Sequence, residues 1–462
     1  MKKSLSGVTD MTLGSPYKLI FAFSIPLLIG NIFEQLYNMV DSIVVGNFIG
    51  EKALAAVGTA FPIIFMMSSL FMGVGIGATI MISQFYGAKD IENIQNTVNT
   101  IYSAMMIGTV PLSLIGVFCS DPLLRIIKVP NDGTFEMAKI YLIVIFIGLI
   151  GNFGFNINAG ILQGLGDSRT SLLFLMVATV MNIVLDFVFT LVFGWGAFGV
   201  AFATIISQIS SWNFGIYFIN KNFPLIHISP FKIRIDRELL KKAVKLGIPS
   251  GLQQAVFSIG ILAIQGLVNS YGSEFMAGFN GANKIDTFAF MPILSFSTAV
   301  TTYVGQNVGA SHLDRIKKGT KAGLILSVVT SVIMCGIIYP LSPLMMKMFN
   351  QDINVINAGV YYLHSVLPFY FIMAVLFILN AVLKGAGEMV IPMVSTLVSL
   401  WFARVPCAYI IANIWGKEYI YYSYAVGWLI GVIISYVSYK IGNWKKKSIV
   451  VQNSNKSLNT TV

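Results

Sequence analysis

Glu34 and Asp41 stand seven residues apart in an otherwise apolar stretch, with Asn31, Gln35 and Asn38 between and beside them at helical intervals. On a helix that spacing is two turns of one face, so these side chains form a polar stripe. Further along, Asn182 and Asp186 are four apart, again one helical face. Carboxylate and carboxamide oxygens are hard donors suited to a cation such as Na⁺. Two carboxylates close together in a low dielectric cannot both ionise cheaply, so one can hold a proton near neutral pH. Residue types alone leave both uses open. Asp286 and Arg404 are also set inside apolar runs, and Lys284 precedes Asp286 by two residues. Positions two apart do not share a helix face, so Lys284 and Asp286 form a second polar focus without a direct pair. Arg404 is expected to snorkel or to meet backbone carbonyls.

The elements that carry these groups follow from composition. Of 462 residues 56 % are apolar and only 11 % charged, less than half the charge of a soluble domain. At roughly 20 apolar residues per span, the chain has material for about a dozen membrane helices. Apolar runs place them at 16–39, 53–83, 94–117, 135–161, 170–193, 197–220, 240–269, 276–305, 319–341, 355–383, 390–413 and 419–442. The expected fold is therefore an all-α polytopic membrane protein of twelve helices in two six-helix bundles. Residues 1–220 form the N-terminal bundle, 221–239 a cytoplasmic linker, 240–442 the C-terminal bundle and 443–462 a disordered cytoplasmic tail. Of the Lys and Arg residues, 22 fall on the side of both termini and 7 on the other, which puts the termini in the cytoplasm. Soluble enzymes, nucleic-acid binders and disulfide scaffolds are excluded by composition. Cys119, Cys335 and Cys407 are too scattered for a metal or disulfide framework, and no His, Cys or acidic constellation marks a membrane enzyme. Gly73, Gly75 and Gly77 lie inside a span and read as close helix packing, not a nucleotide loop.

The two halves repeat. Pro26 matches Pro249 at an offset of 223, Gln84 to Ala88 match Gln306 to Ala310 at 222, and Pro122/Pro343, Tyr141/Tyr362 and Gly164 to Asp167 with Gly385 to Glu388 at 221. Six helices per repeat is an even number, so both halves share one orientation and are related by a pseudo-two-fold axis along the membrane normal. The repeat is also an internal control, because polar positions present in one half only are candidates for function. Asp41, Asn156, Asn182, Asp186 and Thr204 correspond to Ile264, Phe377, Ala403, Cys407 and Ala425. The carboxylate chemistry is thus concentrated in the first half.

Pro26, the run Val40 to Gly50, Gln84-Phe85-Tyr86-Gly87-Ala88 and Gly164 to Thr170, in that order, resemble the multidrug and toxic compound extrusion (MATE) family of the MOP flippase superfamily, and within it the prokaryotic DinF-like branch. The resemblance covers about residues 15–442. It implies a secondary antiporter of the prokaryotic inner membrane that exports amphipathic, often cationic drugs in exchange for H⁺ or Na⁺ by alternating access. It implies no enzyme activity and no cofactor beyond the coupling ion. The expected partners are membrane lipids and small amphipathic or cationic substrates, with no nucleic acid, and a monomer is expected. Carried over motif by motif, a coupling site falls on Asp41, Asn182, Asp186 and Thr204, where Na⁺ could also bind. Tyr141, Asn156, Glu34 and Asn38 would support it, and Pro26, which removes a helical hydrogen bond, would act as a hinge. The branch typified by NorM has an acidic residue on the seventh helix; here that helix offers Gln253, Gln254, Gln265 and Asn269. A flippase for lipids or lipid-linked oligosaccharides is the alternative within the superfamily. Such a cavity is expected to be rich in Arg and Lys, whereas Arg404 is the one cation placed clearly inside a span.

Overall fold

A computed structural model describes residues 8–450 apart from Leu225. The helices are α1 Pro16–Val44, α2 Glu51–Gly87, α3 Ile91–Ile126, α4 Thr134–Ile147, α5 Leu149–Leu165, α6 Ser168–Phe187 and α7 Gly196–Asn222. They continue with α8 Arg237–Asn269, α9 Ser273–Gly309, α10 Leu313–Lys347, α11 Ile353–Val366, α12 Tyr370–Gly385, α13 Val390–Leu397, α14 Val405–Ile414 and α15 Ser423–Ile441. Wider π-helical turns extend α1 over Val45–Ile49 and α6 over Val188–Val192, and join α13 to α14 over Val398–Arg404. No strand occurs among the described residues.

Among the described residues ten helical stretches are long and apolar enough to cross a membrane, and eleven with α4 and α5 counted as one span bent by 52°. The bend falls at Gly148, where Ile205 of α7 occupies the space a side chain would take. The twelfth expected segment is α7, whose 27 residues reach about 40 Å. Ser207, Gln208, Ser210, Ser211 and Asn213 make it less apolar than the others.

The repeat is written into the backbone. Gly166 and Gly387 have φ of +92° and +91°, a conformation glycine adopts without strain. The acid that follows each caps the next helix: Asp167 Oδ1 accepts from Thr170 N at 2.9 Å, and Glu388 Oε1 from Val390 N at 3.1 Å. Two residues before each turn glycine, a Cβ on Gly164 would meet the Thr79 carbonyl at 2.8 Å, and one on Gly385 the Thr301 carbonyl at 2.5 Å. The shared motif is therefore scaffold: close helix contact, left-handed turn, cap.

Two compact units result, one of residues 8–10 and 29–251, the other of residues 11–28 and 252–450. Their boundaries fall within α1 and α8, each two residues beyond a proline, Pro26 or Pro249. The 221–239 connection lies wholly inside the first unit. It runs along α3, where Gln95 exchanges two hydrogen bonds with His227 at 2.7 and 2.8 Å, and Thr100 accepts from Asp236 N at 3.0 Å. In this unit Gly77 of α2 approaches α8 so closely that a Cβ would meet the Ala243 carbonyl at 2.7 Å, the packing role read from the glycine run. In the second unit, Ile20 and Phe23 of α1 are buried with Phe296, Val300 and Tyr303. Ahead of them, Met11 N donates to Gln306 Oε1 at 2.8 Å, and Arg315 donates to the carbonyls of Met11 and Gly14 at 3.1 and 3.0 Å.

The tail differs from expectation in the part that is described. Residues 443–450 are not a free polar end: Trp444 is buried, and Lys447 pairs with Glu388 at 3.2 Å. An indole with a packing surface outweighs the surrounding lysines. Residues 451–462 lie outside the described residues.

Candidate functional site

In the first unit α1, α4, α6 and α7 bring one polar cluster together. Asp41 is buried on α1, Asn182 and Asp186 are fully buried on α6, and Thr204 is buried on α7. Asp41 and Asp186 are direct neighbours, and Tyr141 of α4 lies within electrostatic range of both. Thr204 Oγ1 is the hub. It stands 3.2 Å from Tyr37 Oη, accepts from Asn182 Nδ2 at 3.4 Å, and donates to the Val200 carbonyl at 3.1 Å.

The cluster is short of donors. Apart from the contact between the two carboxyls themselves, both oxygens of Asp186, Oδ1 of Asp41 and Oδ1 of Asn182 are buried without a hydrogen-bond partner, and so is the hydroxyl of Thr179, one turn before Asn182 on α6. Unpaired buried carboxylate oxygens are costly, because desolvation is uncompensated. Such a set favours a proton, or a small cation that accepts hard oxygen ligands. Among the described residues no three His, Cys, Asp or Glu side chains are grouped so that they could hold a metal ion. Two carboxylates with amide and hydroxyl oxygens suit a single positive charge better than a divalent metal.

Both acids sit just ahead of π-helical turns, Asp41 before Val45–Ile49 and Asp186 before Val188–Val192. Phe48 of the first turn meets Phe187, the last residue of α6 before the second, edge to face at 6.1 Å between ring centres. Irregular turns of this kind recur at functional positions, since they leave the regular ladder of hydrogen bonds.

Other expected site residues are placed differently. Asn156 is exposed and donates to the Asn152 carbonyl of its own helix at 2.8 Å. The buried amide of α5 is Asn158, which accepts from the Tyr102 hydroxyl and donates to the Trp212 carbonyl at 3.0 Å. Glu34 and Asn38 are exposed on α1. Tyr37 is a contributor that spacing could have found: it lies four residues before Asp41 on the same stripe.

In the second unit Asp286 of α9 accepts from Tyr362 Oη at 3.2 Å and also from Tyr370 Oη. Lys284 is exposed and directs its ammonium toward the Phe349 ring, 5.8 Å away. Arg404 departs from expectation. Instead of snorkelling it is buried, with its guanidinium 3.3 Å from the Tyr424 ring centre, because a delocalised planar cation stacks on an aromatic face.

The family model described as MatE matches residues 26–188 and 249–410, the two repeats. The chain belongs to the MATE family. Among its relatives, the probable multidrug resistance protein YpnP of Bacillus subtilis is 30 % identical, over 96 % of this chain and 99 % of that protein. The probable multidrug resistance protein NorM of Thermotoga maritima is 27 % identical, over 96 % of each. A solved multidrug resistance MATE family transporter of the MOP superfamily, in an outward-facing conformation, matches with a TM-score of 0.89. It is 26 % identical over 96 % of this chain and all of that one. The all-α polytopic fold in two six-helix lobes is the MATE fold, and the chain is a multi-pass membrane transporter.

Proposed function

We propose that this transporter exports amphipathic, often cationic compounds in exchange for H⁺ or Na⁺, with Asp41, Asp186, Asn182 and Thr204 as the coupling site. The observation that carries the reading is the Asp186 carboxyl, fully buried against that of Asp41 and given no hydrogen-bond donor by any other residue. An ionisable residue inside a span is retained for function, since it is expensive to keep there. With both acids charged, repulsion and hydration favour an open, wet site able to hold a cationic guest. Neutralising one with H⁺, or bridging both with Na⁺, removes the need for water and lets α1, α6 and α7 close. Ion and substrate then prefer different states of one lobe, which is sufficient for exchange. Pro26 stands in α1 two residues before the helix passes from one unit to the other and supplies a hinge without further distortion. The multidrug names of the relatives support drug export over lipid flipping, and the excess of Lys and Arg on one side supports cytoplasmic termini.

The test is export of a fluorescent cationic dye from inverted vesicles, driven separately by a pH gradient and by a Na⁺ gradient. Export under at least one gradient is expected. Lipid flipping with no dye movement under either would overturn the reading.

A further inference from the structure

The connection between α7 and α8 buries some of its apolar residues and exposes others. Phe223, Ile226 and Ile228 are buried, whereas Phe231 is 85 % and Ile233 61 % exposed, and Ile235 is exposed as well. Flexibility does not account for this, because the segment is tied down at both ends. Asn220 exchanges two hydrogen bonds with Ile228 at 2.7 and 2.9 Å. Ser103 Oγ of α3 accepts from Arg234 N at 2.8 Å and donates to the Arg234 carbonyl at 3.2 Å, while Thr100 Oγ1 accepts from Asp236 N at 3.0 Å. The backbone is held on α3 and the side chains of residues 231–235 are left outside.

The same two α3 residues give the depth. From Glu92 to Thr100 the helix is rich in Asn, Gln and Thr, and from Ile101 to Cys119 it has neither charge nor carboxamide. Those 19 residues reach about 28 Å, close to the thickness of a hydrocarbon core. The far end of the run is closed by Asp121, paired with Arg125 and Lys139 at 2.6 and 2.9 Å. Arg234 and Asp236 are therefore bonded at the near edge, where acyl chains give way to headgroups. On α7, where the connection begins, Tyr217 is 61 % exposed with its hydroxyl 3.3 Å from the Lys221 ammonium. Exposed tyrosines collect at that boundary.

Charge completes the pattern. Residues 221–245 hold seven Lys or Arg against Asp236 and Glu238. Lys232, Arg234 and Arg237 are exposed and in no ion pair among the described residues. The internal repeat separates this surface from scaffold. At the offset of 223 that relates Pro26 to Pro249, residues Lys232, Ile233, Arg234 and Ile235 correspond to Thr9, Asp10, Met11 and Thr12. In the second unit Met11 N donates to Gln306 Oε1 at 2.8 Å and the Met11 carbonyl accepts from Asn307 Nδ2 at 3.1 Å, yet the Met11 side chain is wholly buried. Backbone docking is common to both repeats, and the exposed apolar and basic side chains belong to the linker alone.

We propose that residues 231–237 form an interfacial membrane contact for anionic phospholipid. Phe231 and Ile233 enter the acyl layer, and Lys232, Arg234 and Arg237 gather the phosphate-bearing headgroups above them. Apolar side chains at this depth gain from leaving water, and basic ones gain from a negative leaflet. The contact belongs to the surface of the first lobe and is independent of which ion drives transport.

An indole placed in the segment tests both halves of the proposal. Phe231→Trp and Ile233→Trp are each purified full-length and reconstituted in phosphatidylcholine vesicles, and the emission added over wild type is followed. That emission should be quenched by phosphatidylcholine brominated on its acyl chains and spared by aqueous iodide. Brominated phosphatidylglycerol at the same mole fraction should quench more strongly. Adding Lys232→Gln and Arg234→Gln should reduce this headgroup preference, by about fivefold for each charge removed. The proposal is overturned if iodide quenches the added indole and brominated lipid does not, if the two brominated lipids quench equally, or if the preference survives the loss of both charges. Either tryptophan position decides alone if the other variant fails to fold.

Discussion

Thr204→Val should loosen the first lobe and weaken its response to ions, while Thr204→Ser should do neither. The substitution keeps shape and removes the hydroxyl that joins α1, α6 and α7. Three contacts of Oγ1 are involved, at 3.2 Å to Tyr37, 3.4 Å to Asn182 and 3.1 Å to the Val200 carbonyl. The last is within one helix turn, where the carbonyl keeps its backbone bond, so its loss costs little. The two that cross between helices decide the outcome. Interhelical hydrogen bonds in membrane proteins average about 0.6 kcal/mol and reach about 1.7, so the expected loss is roughly 1–3 kcal/mol. Thermal unfolding of wild type, Thr204→Val and Thr204→Ser in one detergent measures this. Substrate binding with and without Na⁺ or a pH step measures the functional part. A Thr204→Val protein as stable as wild type with an undiminished ion response would refute the hub role.

Asp41→Asn and Asp186→Asn should express and fold normally yet lose ion-driven export, because the carboxamide keeps size and hydrogen bonding but not the charge; vesicle dye transport reads this. Asp286→Asn should be milder in the same assay, and the reverse order of severity would place coupling in the second lobe. Pro26→Ala should restore a helical hydrogen bond in α1 and reduce the ion dependence of substrate affinity; unchanged coupling would remove the hinge from the mechanism. Asp167→Ala, which removes the cap of α6, should cost about 1 kcal/mol in thermal stability without altering which ion drives transport.

Twelve helical segments and their repeat were legible in the sequence because lipid demands long apolar runs and duplication leaves matched prolines and glycines. The bend between α4 and α5 was not, since the apolar run continues through Gly148 and the bend comes with Ile205 of another helix. Asp41, Asn182, Asp186 and Thr204 stood out as polar in one repeat and apolar in the other. Tyr37 was legible only through its spacing from Asp41, since a tyrosine in a span is ordinary until its hydroxyl finds a partner. Asn156 and Asn158 illustrate the limit of choosing by motif, as two residues on a helix separate an exposed amide from a buried one. Arg404 was misread for a similar reason: its burial depends on Tyr424, twenty residues further along the chain.

Competition between ion and substrate in the purified protein tests the central claim most directly. Affinity for a cationic dye should fall as pH is lowered or Na⁺ is added in the wild type, and should be indifferent to both in Asp41→Asn and Asp186→Asn. Equal ion dependence in the wild type and both variants would show that the buried acids of the first lobe do not couple transport to the ion.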